Sequence, residues 1–335
     1  MISRQNLPVT ILIALLLIGM LLPLAQQGTT IAFWLEVMIG GLMAGVLYAL
    51  VALGFVLIFK ASGVFNFAQG AMVLFAALSL ARLAGIMPLW IAFIVTALIM
   101  VALAWLVERL VLRRLVNQEG VTLLMATLGI SFFLDGLGQT IWGSDVYSID
   151  LGISKDPLFV LEGIFAGGIL MNRDDILAAV IAAALVFALS LFFQKTATGR
   201  ALRAVADDHQ AAQSVGIPLS RIWVIVWAVA GFVALVAGMV WGSKLGVQFS
   251  LQEIALRALP VVILGGFTSV PGAIIGGLII GVGEKVSEVF FAPILVRTFD
   301  LAGGGIENWF AYVLALLFLL VRPEGLFGEK YIDRV

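Results

Sequence analysis

Two amides, Asn66 and Gln69, stand three residues apart in an apolar stretch, on one face of any helix formed there. An unpaired amide in hydrocarbon costs several kcal/mol, so both must face a polar cavity or bond to neighbouring helices. In the first case they can exchange hydrogen bonds with a small polar solute; in the second they are structural. Tyr48, Thr122, Thr127 and Ser131 add hydroxyls in adjacent apolar stretches and complete the candidate lining of a translocation path. Asp135 falls within an apolar stretch, and Glu36 and Glu253 fall near the ends of others. Such acids are functional candidates by default, yet one isolated Asp is thin support for a proton relay.

The segment Gly199–Gly216 offers a different capability. Leu202, Val205, Ala212 and Val215 recur at helical spacing, with Arg200, Arg203, Asp207 and Asp208 as polar flanks. Asp207 followed by Gln210 fits a capping box that would start a second short helix. Gly216, Ile217 and Pro218 read as a left-handed cap, an apolar lock and a stop. Two short amphipathic helices need a surface to lie on: lipid, the rest of the chain, or a soluble partner. The small alanine-rich face suits a protein groove better than acyl chains.

No reaction chemistry is legible. The chain has no cysteine, which excludes disulfides and thiolate sites, and its single histidine, His209, sits among polar loop residues. No glycine precedes a lysine, so there is no phosphate-binding loop, and neither His-Glu-x-x-His nor Gly-x-Ser-x-Gly occurs. The expectation is a protein that is not an enzyme and carries no metal or cofactor of its own. The net charge of −1 and the lack of a basic tract give no reason to expect nucleic acid as a partner.

The elements that must carry these residues follow from composition. The 335 residues are 62% hydrophobic and only 12% charged, with mean hydropathy +1.16. A soluble domain is about a quarter charged, so this chain is built for lipid. Apolar spans are expected at Val9–Leu24, Phe33–Phe59, Phe67–Leu83, Leu89–Val107, Leu123–Trp142, Ile176–Phe193, Ile222–Leu245 and Trp309–Val321, with a broken pair at Ile254–Phe267 and Gly272–Phe290. The fold expected is all-α: a polytopic transmembrane helical bundle of about ten spans with both termini cytoplasmic. That arrangement places most basic residues inside, among them Lys60, Arg109, Arg113, Arg114, Lys195, Arg200, Arg203 and Arg221. Counting the broken pair as one span would put Arg322, Lys330 and Arg334 outside. The N-terminal stretch has the outline of a signal peptide but is expected to remain as an extra span within residues 1–30. Residues 143–175 form an external loop whose apolar part, Leu158–Leu170, is expected to lie on the membrane surface or on a partner. Gly-x-x-x-Gly spacings at Gly41/Gly45, Gly272/Gly276 and Gly277/Gly281 permit close helix packing.

Five stretches then agree with a known family. Gly45–Phe59, Gly63-Val-Phe-Asn-Phe-Ala-Gln-Gly70, Gly199–Gly216, Val262–Gly277 and Arg322-Pro-Glu-Gly-Leu-Phe-Gly328 resemble, in order, the permeases of branched-chain amino acid ATP-binding-cassette importers. The Asn-Phe-Ala-Gln-Gly form is similar to the first of two paralogous permeases. Family members commonly carry histidine where this chain has Gln69, and both the N-terminal span and the 143–175 loop look extended. The resemblance implies a single transmembrane permease domain over residues 1–335, in the bacterial inner membrane. It implies that residues 194–221 form a cytoplasmic loop coupling to the ATPase through Gly199, Arg200, Arg203, Asp207, Asp208 and Gly216. The implied partners are a paralogous second permease, two ATPase subunits holding ATP and Mg, a periplasmic binding protein and membrane lipid. The implied cargo is a branched-chain amino acid, with urea, amides and aromatic acids carried by other relatives. An ion-gradient-driven transporter is the competing class, but the spans offer few carboxylates for coupling ions. An intramembrane enzyme would need a constellation that is missing.

Overall fold

The computed structural model describes residues 14, 17–25, 29–63, 65–115, 118–154, 156–165, 167–207, 209–300 and 305–328. Its helices are α1 (Ile31–Ser62), α2 (Gln69–Ala84), α3 (Leu89–Leu110), α4 (Gly120–Trp142), α5 (Arg173–Lys195), α6 (Ala197–Asp207), α7 (His209–Ser214) and α8 (Leu219–Leu245). They continue as α9 (Ile254–Arg257), α10 (Leu259–Gly265), α11 (Val270–Val286), α12 (Ala292–Phe299) and α13 (Ile306–Val321). Among the described residues five helices are long and apolar enough to cross a membrane, or up to six if the bent pair around residues 266–269 counts as one span. The pair bends by 115°, so the expected break is real. Of the expected span Val9–Leu24, residues 14 and 17–24 are described; the remainder, like both termini, lies outside the described residues.

One element corrects the all-helical expectation. The external segment forms an antiparallel hairpin of β1 (Pro157–Val160) and β2 (Ile169–Asn172), with Pro157 opposite Asn172. The apolar run is interrupted by Glu162-Gly163 and Gly167-Gly168, which break helical periodicity and supply turn residues. Glu36 explains itself here: its carboxylate accepts the Leu170 amide at 3.2 Å and ties the hairpin to α1.

Contacts divide the chain into two compact units. The first comprises Met1–Ala49, Ile153–Ile181 and Leu259–Val335. Here the Gly-x-x-x-Gly pairs of α1 and α11 meet: a Cβ on Gly45 would lie 2.5 Å from the Gly277 carbonyl, and one on Gly277 2.6 Å from the Gly45 carbonyl. In lipid this backbone-to-backbone approach supplies the dispersion contact that hydrophobicity cannot. The break at Gly265–Ser269 frees backbone groups, and the C-terminal motif satisfies two of them. Leu326 donates its amide to the Leu264 carbonyl at 2.8 Å, and Phe327 donates to Gly265 at 3.1 Å. Ser269 accepts the Gly272 amide at 3.0 Å and caps α11, with proline in its first turn.

The second unit comprises Leu50–Gly152 and Ala182–Ala258. Its centre is α2, in which every residue from Gln69 to Leu80 is buried. A helix apolar on all sides belongs in a core. It packs against α3, α4 and α8. The α3–α8 contact runs along Ala92, Thr96, Met100 and Ala104, spaced four residues apart, with Gly231 of α8 set against Met100.

Candidate functional site

The loop between α1 and α2 builds a buried polar cluster. Asn66 Oδ1 accepts the Ala68 amide at 3.0 Å, a local turn that starts α2. Thr127 Oγ1 accepts the Phe67 amide at 3.3 Å and lies within donating distance of the Leu124 and Phe65 carbonyls. Asn66 and Gln69 are both 0% exposed, with the Asn66 amide 3.5 Å from Gln69 Oε1. Gln69 packs its side chain over Gly54, where a Cβ would collide with it, while its Nε2 is buried without a hydrogen-bond partner. Phe65 stacks on Phe55 at 4.7 Å between centroids and meets Phe67 edge-on.

Three of the six expected path residues thus converge: Asn66, Gln69 and Thr127. The other three do not join them. Tyr48 donates its hydroxyl to Glu284 Oε1 at 3.2 Å, Thr122 is exposed and Ser131 is half-buried. Within the cluster Asn66 serves the backbone, whereas Gln69 retains an unspent donor. The two substitutions should therefore separate. We expect Asn66→Leu to lose about 1–2 kcal/mol of stability through the orphaned Ala68 amide, seen as a lower unfolding temperature. We expect Gln69→Leu to keep normal yield and stability while transport falls about tenfold or more. Equal losses of yield and transport in both variants would make the cluster structural throughout.

The intramembrane acids sort differently. Glu253 is exposed, and Asp135 has one buried oxygen, Oδ1, with no partner. Glu284 went unrecognised in the sequence because one acid in a long apolar window barely lowers its mean hydropathy, and Glu108 because it falls just past the expected span Leu89–Val107. Glu108 is 4% exposed with Oε1 unpartnered, and Glu284 takes the Tyr48 hydroxyl.

The polar segment forms the two expected helices, α6 and α7. Gly216 has φ +86, the Gly216 amide donates to Gln213 and the Ile217 amide to Ala212, both at 3.0 Å. This is a Schellman end, with Pro218 directly before α8. The apolar face is corrected in one respect. Leu202, Val205 and Ala212 are buried, with α6 and α7 lying on α8, but Val215 is 75% exposed. The chain itself is the main surface that the helices lie on.

The arginines are also partly spent internally. Arg203 donates to the Phe193 carbonyl at 2.9 Å and Arg200 to the Lys195 carbonyl at 3.2 Å. Thr196 accepts the Gly199 amide at 3.1 Å and donates to Phe192 at 2.6 Å. Together they satisfy the last carbonyls of α5 and the first amides of α6. Gly199 is buried, and a Cβ there would collide with the Phe193 backbone. Asp207 ends α6, Asp208 lies outside the described residues, and the outward residues of the loop include Arg200, Gln213, Ser214, Val215 and Gly216. A link runs from this loop toward the amide cluster. Near the start of α8, Trp223 donates its indole N–H to Ala61, in the last turn of α1 before the Asn66 loop.

Comparison with known proteins supplies the deciding observation. The family described as branched-chain amino acid transport system / permease component matches residues 37–322. The chain belongs to that family. It is a multi-pass membrane permease of the ATP-binding-cassette transporter class. The high-affinity branched-chain amino acid permease BraD of Pseudomonas aeruginosa is 28% identical over 90% of this chain and 98% of its own length. LivH of Escherichia coli K12 is 27% identical over the same shares. The fructose import permease FruF of Bifidobacterium longum is 24% identical over 74% of this chain and 72% of its own. Among solved structures, PsaBC from Streptococcus pneumoniae in complex with Fab aligns over 93% of this chain and 97% of that chain. Its TM-score is 0.48 at 16% identity, too slight a likeness to assign the fold.

Proposed function

We propose that this permease moves branched-chain amino acids or related small polar solutes into the cytoplasm by alternating access, powered by a separate ATPase. The observation that carries this reading is the family match over residues 37–322, which includes the capped helix pair α6–α7. That pair lies on α8 and presents Val215 to solvent, which suits a docking surface. Motion imposed there has a physical route to the Asn66 loop through Trp223 and Ala61. In this reading Gly199, Arg200, Arg203, Asp207, Asp208 and Gly216 shape the coupling element. Gln69 contributes to the path, held in place beside Asn66 and Thr127, and Tyr48, Thr122 and Ser131 are secondary candidates.

The chain crosses the bacterial inner membrane about ten times with both termini inside, as one permease domain. A paralogous permease completes the pathway, two ATPase subunits hold ATP and Mg, and a periplasmic binding protein delivers the cargo. A second reading keeps the machine and changes the cargo to urea, amides or aromatic acids. The neutral Gln69 in place of the family's common histidine favours it.

The test is ATP hydrolysis by the co-expressed assembly in proteoliposomes. Severalfold stimulation by leucine-loaded binding protein supports the first reading. Stimulation by loaded binding protein that ignores leucine supports the second, and no co-purifying ATPase contradicts both.

A further inference from the structure

A groove of about 360 Å3 lies in the first unit between the hairpin and the start of α5, lined by Ile153, Leu158, Arg173, Ile176, Leu177 and Val180. Its volume is in the range of small-ligand sites. Four of its residues, Arg173, Ile176, Leu177 and Val180, repeat at three- and four-residue spacing and so form one face of α5. That helix is a candidate membrane span, and it goes on to expose Val180, Phe187 and Leu191. The groove therefore continues into an apolar helix face, and its only charged lining residue is an exposed arginine at the first turn. Arg173 has no carboxylate partner among the described residues. The sequence around it carries more acid than base. Asp174 and Asp175 follow directly, the latter accepting from Asn172 Nδ2 at 3.1 Å, and Asp156, bonded to Ser154, and Glu162 lie in the hairpin segment with Lys155.

We propose that this groove holds one phospholipid whose headgroup carries both phosphate and ammonium. The phosphate is received by Arg173, whose planar fork matches two phosphate oxygens. One acyl chain runs over Ile176, Leu177 and Val180 beneath Ile153 and Leu158. The ammonium answers the surrounding carboxylates, which oppose a headgroup of purely negative charge. An arginine at the end of a span, with an apolar wall on its bilayer side, is what a lipid at the interface requires. A soluble partner would have no use for an apolar wall that continues down a membrane span.

The test is native mass spectrometry of the full chain, stripped of lipid in mild detergent and titrated with phosphatidylethanolamine or phosphatidylglycerol. The expected result is one phosphatidylethanolamine per chain, bound at least about fivefold more tightly than phosphatidylglycerol. Arg173→Gln is expected to weaken that binding about tenfold. Val180→Trp, which fills the groove at an exposed position, should abolish it while the unfolding temperature stays unchanged. Equal binding of both lipids, unaffected by either variant, would mean unspecific boundary lipid and overturn the proposal. Capture of the binding protein by the groove, lost in Val180→Trp with lipid binding intact, would also overturn it.

Discussion

Gly45→Leu is expected to remove folded protein from the membrane, while Gly40→Leu, five residues earlier on the same helix, is expected to leave yield unchanged. The contrast follows from what each new side chain would meet. A Cβ on Gly45 faces the Gly277 carbonyl at 2.5 Å and the Leu278 Cα at 2.9 Å. Both are backbone atoms that cannot rotate away. At Gly40 nothing lies within 4 Å. Overpacking a well-packed site costs about 1–3 kcal/mol when side chains can yield, and a crossing of two backbones has less room to adapt. Gly281→Leu should repeat the loss from the other helix, since its Cβ would meet Gly41 and Gly45. The check is the yield of monodisperse protein after extraction in mild detergent. Normal yield of both Gly45→Leu and Gly281→Leu would refute the crossing of α1 and α11.

Val215→Asp is expected to give a well-folded chain that no longer retains its ATPase. Val215 is 75% exposed and apolar, and it is followed by the Gly216 cap that fixes its direction. A buried apolar anchor in a protein interface contributes about 1–3 kcal/mol, and a carboxylate in its place must also be desolvated. Co-purification of the ATPase should therefore fall about tenfold or more with the unfolding temperature unchanged. Arg203→Glu is a less clean probe of docking. It sets a carboxylate against the Phe193 carbonyl that the guanidinium now serves, so it should lower local stability as well as coupling. Unaltered ATPase retention in Val215→Asp would move the docking surface elsewhere.

Local signals in the sequence proved readable where the physics is local. Gly216-Ile217-Pro218 announced a helix end because the left-handed cap and its two amide bonds need only those residues. The Gly265–Gly272 break was visible for the same reason, although its partner, the Leu326–Phe327 strand of chain, was not: that pairing is non-local. The Gly-x-x-x-Gly spacings told that helices could approach closely but not which ones, since 36 glycines offer many combinations. Two readings were changed by tertiary packing. For Leu202, Val205 and Ala212 the surface was open between lipid, the rest of the chain and a partner, and α8 covers them, leaving Val215 as the exposed remainder. The Asn66–Gln69 pair was legible as one helix face, but only the fold divides its labour between a backbone-serving Asn66 and a Gln69 with a donor to spare. The hairpin at Pro157–Asn172 escaped because its strands are four residues each, too short to show alternation.

The measurement that bears most directly on the importer reading is uptake of radiolabelled leucine by proteoliposomes that hold the assembled complex, with ATP enclosed and loaded binding protein outside. The account predicts accumulation above the external leucine concentration that requires both ATP and binding protein. Leucine uptake that proceeds without ATP and follows an imposed proton or sodium gradient would contradict it.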